Sequence, residues 1–238
     1  MNSDQRSRGY YDAFSDHYEV GRDRGYHFWL DERSADLVLR HGRDREVLEV
    51  GCGTGLILQR VAPHSRRAVG LDLSPGMLSV AKSRGLDVIE GTATSLPFPD
   101  ASFDTIYSFK VLAHVPDLST ALSEMARVVR PGGKLILEFY NRQSLRWLVR
   151  QLRPAGRIGT ERTEDDVYTR FHSLRELRRM LPPQLHLTSV EGMRIATLLP
   201  QLFEVPHVGT HWATLENTLS DSPLRYLAGF LVLVLERR

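Results

Sequence analysis

Short apolar runs alternate with segments of helical periodicity through the middle of the chain. The apolar runs predict five strands, over 46–50, 68–71, 88–89, 103–109 and 134–140. Helical segments lie between them, over 56–62, from Ser74 and Pro75 to Gly85, and over 118–129, where Pro131, Gly132 and Gly133 are predicted to end the helix. Strands that alternate with helices predict a parallel sheet with right-handed crossovers. The middle of the chain is therefore predicted to be an α/β core.

The two ends of the chain have helical patterns. In residues 1–44, the aromatic residues Tyr11, Phe14 and Tyr18 have the spacing of one helix face. A second helix is expected over 31–40, with Leu30, Leu37 and Val38 facing inward. This N-terminal part is predicted to be a helical cap whose aromatic face packs on the domain. The alternative is that part of it closes over the ligand.

The pattern changes again after residue 140. Residues 141–184 are predicted to be helical, and the runs 185–190 and 227–235 predict two final strands. The stretch 195–223 between those strands is a candidate lid. We therefore expect a single domain in three parts: a helical cap (1–44), a ligand-binding core (45–140), and the rest of the sheet with helical and lid insertions (141–238).

A row of arginines near the start of the third part has the spacing of one helix face. Its members are Arg142, Arg146, Arg150, Arg153 and Arg157, and the opposite face is apolar, with Leu145, Leu148, Val149 and Leu152. This pattern favours a solvated basic face on a helix whose apolar face packs on the protein. The alternative is a basic rim that attracts an anionic substrate or an anionic membrane surface.

Composition narrows the class of protein. The chain has 238 residues, 42% of them hydrophobic and 25% charged, and a net charge of +2, which gives no strong argument for nucleic acid as a partner. The N-terminus has no apolar signal-like run, and the longest apolar run is too short to span a bilayer. The single cysteine, Cys52, agrees with a reducing compartment. We expect a cytoplasmic protein without a membrane span, and the oligomeric state stays open.

A glycine-rich turn follows the first predicted strand. Gly51, Gly53 and Gly55 stand at alternate positions between that strand and a helix, and Asp72 ends the second strand 21 positions after Gly51. An acid at this distance can accept hydrogen bonds from both hydroxyls of a ribose. The G-x-G-x-G spacing differs from the G-x-G-x-x-G of dinucleotide-binding turns, which disfavours a dehydrogenase.

These residues resemble the motifs of a known family. The run from Glu49 to Gly55 looks like motif I of the class I S-adenosylmethionine-dependent methyltransferases, and Asp72 looks like their motif II acid. Residues 91–104, 112–117 and 122–133 continue the resemblance to the small-molecule "type 11" branch, at family spacing. The resemblance implies a Rossmann-like sheet of seven mostly parallel strands with the last one antiparallel. It also implies S-adenosylmethionine as the cofactor and S-adenosylhomocysteine as the product.

The resemblance also implies roles for individual residues. The glycines would wrap the methionine and ribose portion, with Cys52 as a small residue in that loop, and Asp72 would take the ribose hydroxyls. The other implied cofactor-binding residues are Tyr18 and Glu49 near the methionine end, Leu73 and Met77 in the adenine slot, Thr92, Ala93 and Thr94 at the adenine edge, and Ser108 and Phe109 beside the sulfonium. Position 92 departs from the family pattern, in which it is usually Asp, so a neutral hydroxyl would replace a charged acceptor.

The acceptor side of the reaction is less defined. His114 follows the fourth strand on the ligand side and is a candidate general base, and His172, His207 and His211 are lower candidates. No metal site is expected. Aromatic residues in the cap and lid predict an apolar or aromatic small-molecule acceptor: Phe14, Tyr18, Tyr26, Phe28, Trp29, Trp147, Phe203 and Trp212. The alternatives are a non-catalytic S-adenosylmethionine-binding partner subunit, and a methyltransferase that acts on a lipid or peptide at a surface.

Overall fold

The computed structural model describes residues 3–15, 18–152, 157–158, 162–163, 168–197, 200–205, 207–220 and 222–238. Its helices are α1 (Ser3–Phe14), α2 (Gly25–Gly42), α3 (Leu58–Val61), α4 (Pro75–Ser83), α5 (Leu118–Val128), α6 (Leu145–Leu152), α7 (Leu174–Met180) and α8 (Val208–Ser220). Its strands are β1 (Glu46–Val50), β2 (Arg67–Asp72), β3 (Val88–Glu90), β4 (Phe103–Ser108), β5 (Val129–Tyr140), β6 (Arg157–Ile158), β7 (Arg162–Thr163), β8 (Leu185–Met193) and β9 (Phe230–Arg237).

Seven of these strands form one sheet in the order β3-β2-β1-β4-β5-β9-β8. The strands from β3 to β5 are parallel, whereas β9 runs antiparallel to both β5 and β8. The Rossmann-like sheet with an antiparallel last strand is therefore confirmed. Apolar side chains on both faces of β1, β4, β5 and β9 are buried under the helices, as expected for a sheet covered on both sides.

Capping residues define the N-termini of two helices. The side chain of Ser74 accepts a hydrogen bond from the backbone N–H of Met77 and caps α4, and Ser173 and Glu176 form a capping box on α7. Helix α2 buries its expected inward face but is longer than predicted at both ends. The strand β5 also begins earlier than predicted, at Val129, because the chain turns extended directly after α5. Residues 130–133 then bulge out opposite β4, so the Pro-Gly-Gly sequence lies inside the strand.

The predicted bounds of three segments near the ends of the chain are wrong. Helix α1 ends at Phe14, so Tyr18 lies in a turn rather than on that helix, and the side chain of Phe14 is outside the described part. Between 141 and 184 the described residues contain α6, α7 and the two-residue strands β6 and β7, not continuous helix. The last strand begins at Phe230 instead of 227, because Pro223–Leu227 forms a 3-10 turn. The division into three parts, and the lid role of 195–223, stay predictions.

The arginine row after β5 is oriented opposite to the prediction. Helix α6 covers only Leu145–Leu152, so Arg142 and Arg157 lie outside it, and Arg153 is outside the described residues. Leu145 and Leu148 are 47% and 50% exposed, whereas the guanidinium of Arg146 lies over the rings of Tyr140 and Phe230. The periodicity was sufficient to predict a helix but not which face packs on the protein.

Candidate functional site

The glycine loop joins the ends of β1 and β2 into one concave edge. The backbone N–H groups of Gly51 and Cys52 donate to the carbonyl of Leu71, at 2.6 and 3.0 Å. Gly51 has a φ of 79°, and a Cβ at this position would lie 2.2 Å from a methyl carbon of Val111. Glycine is therefore needed here for the backbone conformation and for the close approach of the segment after β4.

Asp72 at the end of β2 organises this edge. One of its carboxylate oxygens accepts from the backbone N–H of Gly53 at 2.8 Å, and the other accepts from that of Ser74 at 2.9 Å. Burial raises the pKa of Asp72, and these hydrogen bonds to the charged form oppose the rise. A carboxylate can accept about four hydrogen bonds, so two acceptor positions remain for a ligand.

A pocket with about 1070 Å³ of open space lies along the carboxyl ends of β1, β2 and β4. Open α/β sheets bind ligands at this edge. The predicted site residues that line it are Tyr18, Glu49, Gly51, Cys52, Gly53, Asp72, Leu73, Met77, Thr92, Ala93, Thr94, Phe109 and His114. The structure thus brings together residues that are spread over almost a hundred positions of the sequence.

Two predicted residues do not line the pocket. Ser108 is fully buried, and its hydroxyl donates to the carbonyl of Val50 inside the sheet at 2.8 Å. Gly55 faces α4 and the loop after it, and a Cβ at this position would lie 2.3 Å from a methyl of Leu86. Both residues support neighbouring elements of the site, and neither is placed to contact a ligand.

Two threonines at the far end of the pocket, Thr92 and Thr94, are hydrogen-bonded to each other. The hydroxyls of Thr92 and Thr94 lie 2.7 Å apart, and the hydroxyl oxygen of Thr92 also accepts from the backbone N–H of Thr94 at 3.0 Å. Thr92 therefore shapes the turn after β3. This internal hydrogen bonding reduces its capacity to accept from a ligand.

Helix α1 covers the same pocket and is held by Asp12. A carboxylate oxygen of Asp12 accepts from the hydroxyl of Ser74 at 2.5 Å and from the backbone N–H of Gly76 at 3.0 Å, at the start of α4. Negative charge at a helix N-terminus is favourable. Tyr11, from the same turn of α1, lines the pocket, so the N-terminal helix closes one side of it.

A buried ion pair that the sequence did not predict lies at the other end of the pocket. Nζ of Lys110, directly after β4, lies 2.6 Å from a carboxylate oxygen of Asp31 on α2, and both residues line the pocket. The second oxygen of Asp31 is buried and has no hydrogen-bond partner within the described chain. Burial disfavours the charged form of Lys110, but the neighbouring carboxylate outweighs it and raises the pKa of the ammonium group.

Two further carboxyl groups lie behind this pair. Glu49 is buried at the end of β1, and burial raises its pKa well above the usual range, with the charge of Asp31 adding to the rise. Glu138 on β5 accepts from the backbone N–H of Lys110 at 3.1 Å, and burial raises its pKa to about 7, although the charge of Lys110 opposes the rise. The sequence does contain a sign of two of these residues. Asp31 and Glu138 are acids at positions where the pattern of a helix face and of a strand predicts buried apolar side chains.

His114 lies beside the pocket, and its tautomer can be assigned. Its Nδ1 is 2.8 Å from the carbonyl oxygen of Tyr168, which can only accept, so Nδ1 carries a proton. His172 is buried, does not line the pocket, and has its pKa lowered by burial. His207 and His211 lie at α8, away from the pocket lining. The described residues contain no cluster of His, Cys, Asp and Glu suited to a metal ion.

Three aromatic residues of the cap and lid segments are packed against each other. Rings of Tyr26, Trp29 and Phe203 lie 5.1–6.3 Å apart between α2 and the turn before α8. Trp212 donates to the hydroxyl of Thr197, and Phe28 is 40% exposed. Of the eight aromatic residues singled out in the sequence, Tyr18 lines the pocket. No helix within the described residues is long and apolar enough to cross a membrane.

Comparison with known proteins agrees with this geometry. A family model described as a methyltransferase domain matches residues 48–137. A protein of Mycobacterium sp. (strain KMS), named demethylmenaquinone methyltransferase, is 39% identical over 127 residues, which are 53% of each chain. A relative of the same name from Mycobacterium marinum is 37% identical over the same share of each chain. The match thus spans about half the length of these relatives.

Solved structures share the fold over nearly the whole chain. A possible histamine N-methyltransferase of Thermotoga maritima has a TM-score of 0.71 and 21% identity, with coverage of 97% of this chain and 99% of that one. The cyclase SpnF has a TM-score of 0.69 and 21% identity, with coverage of 100% and 97%. These structures show the fold, and the matched domain carries the motifs. Residues 48–137 therefore match a methyltransferase domain, and they lie in a chain whose fold is shared with a solved S-adenosylmethionine-dependent methyltransferase.

Proposed function

We propose that this protein transfers a methyl group from S-adenosylmethionine to a small-molecule acceptor. The observation that carries the proposal is Asp72, which is fixed by two backbone N–H groups at the edge of the pocket and keeps free acceptor positions. The name of the mycobacterial relatives, demethylmenaquinone methyltransferase, agrees with a small molecule as the acceptor.

The lining of the pocket fits the three parts of the cofactor. Asp72 would accept from the ribose hydroxyls, and the apolar side chains of Leu73 and Met77 would pack on the adenine. Lys110 and Asp31 form a neighbouring pair of opposite charges, which complements the α-carboxylate and α-ammonium groups of the amino-acid end. Asp72 ends β2 and Lys110 follows β4, and these strands flank β1, so the two residues lie roughly 10 Å apart, within the span of the cofactor.

The cofactor supplies an activated methyl group on a sulfonium, so the contribution of the protein is position and exclusion of water. Phe109, Val111 and Tyr11 contribute apolar surface to the pocket. A base is needed only when the acceptor must lose a proton. His114 lines the pocket with its proton held on Nδ1 towards Tyr168, so we propose Nε2 as the atom that would face such an acceptor.

Calorimetric titration of the full chain tests the proposal. We expect S-adenosylmethionine and S-adenosylhomocysteine to bind with micromolar affinity, and Asp72→Ala to abolish binding. Asp87→Ala is the matched control, because Asp87 is exposed and lies outside the pocket lining. Binding of NADH in place of the methyl donor would refute the proposal. Transfer of a labelled methyl group to a component of a metabolite extract then distinguishes an enzyme from a non-catalytic binding subunit.

A further inference from the structure

Two arginine side chains converge at the sheet edge beyond the ion pair of Lys110 and Asp31. Arg146 comes from α6, and Arg194 directly follows β8. A Cβ built on Gly229, just before β9, would lie 3.5 Å from Cδ of Arg146 and 3.4 Å from Cδ of Arg194. Glycine at this position therefore leaves room for the two side chains to approach each other.

Aromatic rings surround both guanidinium groups. The guanidinium carbon of Arg146 lies 4.8 Å from the ring centre of Tyr140 and 4.9 Å from that of Phe230. The guanidinium carbon of Arg194 lies 5.2 Å from the ring centre of Tyr26. Arg194 has a φ of 63°, in the left-handed region that a residue with a side chain rarely adopts, and such conformations are concentrated at functional sites.

Among the described residues, no acid forms an ion pair with this arginine site. In the part of the chain that the structure describes, neither Arg146 nor Arg194 forms an ion pair, and Nη1 of Arg146 is buried without a hydrogen-bond partner. Nε of Arg194 donates to the carbonyl of Thr197. Glu138 interacts with Arg146 through its charge, although burial raises the pKa of this carboxyl. Buried arginine stays protonated and is costly without an anion.

The arginine site adjoins the pocket through Tyr140. The ring of Tyr140 lies 5.6 Å from the ring of His114, which lines the pocket, and it also contacts Arg146, Phe171 and Phe230. The arginine site thus lies next to the pocket, and Tyr140 contacts both His114 and Arg146.

We infer that Arg146 and Arg194 bind an oxyanion, a carboxylate or a phosphate, carried by the methyl acceptor. Guanidinium groups bind such anions through paired hydrogen bonds, and the aromatic rings around them suit a flat, apolar body. The inference rests on the proposed methyl transfer and adds a chemical class to the acceptor: a mostly apolar small molecule with one acidic group.

Anion binding by the full chain, saturated with S-adenosylhomocysteine, tests this inference. The probes are sodium benzoate and sodium phosphate, each compared with sodium chloride at equal ionic strength by thermal unfolding and calorimetry. We expect at least one of the two oxyanions to bind the wild-type complex, and Arg146→Met and Arg194→Met each to weaken that binding tenfold or more. Stronger binding of benzoate would indicate a carboxylate on the acceptor, and stronger binding of phosphate would indicate a phosphate.

The control variant is Arg142→Met, because Arg142 is half exposed and paired with Glu176, and it should bind as the wild type does. Gly229→Ala keeps both arginines but places a methyl group between them, and should also weaken binding if the methionine variants fail to fold. The inference is overturned if neither oxyanion binds more tightly than chloride, or if the arginine variants bind as well as Arg142→Met. Intact binding of S-adenosylhomocysteine in those samples would leave the proposed function standing, and its loss would remove both.

Discussion

The Lys110→Met variant is expected to destabilise the protein, because it leaves the carboxylate of Asp31 buried without its cation. The two groups are 2.6 Å apart, and the side chain of Asp31 is 2% exposed. Removal of one partner of a buried ion pair costs about 3–5 kcal/mol, since the other charge stays desolvated. The side chain of Lys110 is 20% exposed, so water reaches the pair, and we expect a cost near the lower end, about 3 kcal/mol.

A double-mutant cycle isolates this interaction. Asp31→Leu leaves a lysine that can reach solvent, so we expect a smaller cost, and the double variant Asp31→Leu/Lys110→Met should lose less than the sum, with a coupling of about 2 kcal/mol. The assay is urea unfolding at pH 7 without ligand. Arg142→Met, which breaks an exposed pair, should cost less than about 1 kcal/mol. Costs that add within about 0.5 kcal/mol would refute the reasoning.

Three further predictions concern the site. Burial raises the folded-state pKa of Glu138 from 4.5 to about 7, so the free energy of unfolding of the wild type should fall by up to roughly 3 kcal/mol between pH 4.5 and 7, as the carboxyl of the unfolded chain ionises. Thermal unfolding of Glu138→Gln over this range should lack that fall. An equal fall in the variant would contradict the assignment to Glu138. Gly51→Ala should lower the free energy of unfolding in urea by about 2–4 kcal/mol. Gly85 has a similar φ but open space around it, so Gly85→Ala should lower it by about 1 kcal/mol. Equal losses would contradict a steric clash with Val111 at position 51. In calorimetry, Lys110→Met should weaken the binding of S-adenosylhomocysteine at least tenfold. It should not change the binding of 5′-methylthioadenosine, which lacks the amino-acid end. Equal losses of affinity for the two ligands would contradict a contact between Lys110 and the amino-acid end.

The parts of the site that are local in sequence could be predicted. The glycine loop and Asp72 follow strands whose apolar patterns are clear, and the parallel sheet brings strand ends to one edge. The helix start at Ser74 is equally local in sequence, and it is confirmed.

The long-range contacts could not be predicted. Lys110 and Asp31 are 79 positions apart, and nothing in the sequence pairs them. The orientation of α6 was missed for the same reason: the rings that bind Arg146 come from Tyr140, Phe171 and Phe230, which lie in separate segments, and helical periodicity contains no information about them. The family resemblance implies a place for Ser108 beside the ligand, but its hydroxyl donates into the sheet.

Calorimetric titration of S-adenosylhomocysteine into wild type, Asp72→Ala and Asp87→Ala tests the central claim most directly. The claim is that Asp72 and the glycine loop bind the methyl donor. It predicts micromolar binding to the wild type and to Asp87→Ala, and no measurable heat with a folded Asp72→Ala variant. Equal affinity in all three proteins would contradict it.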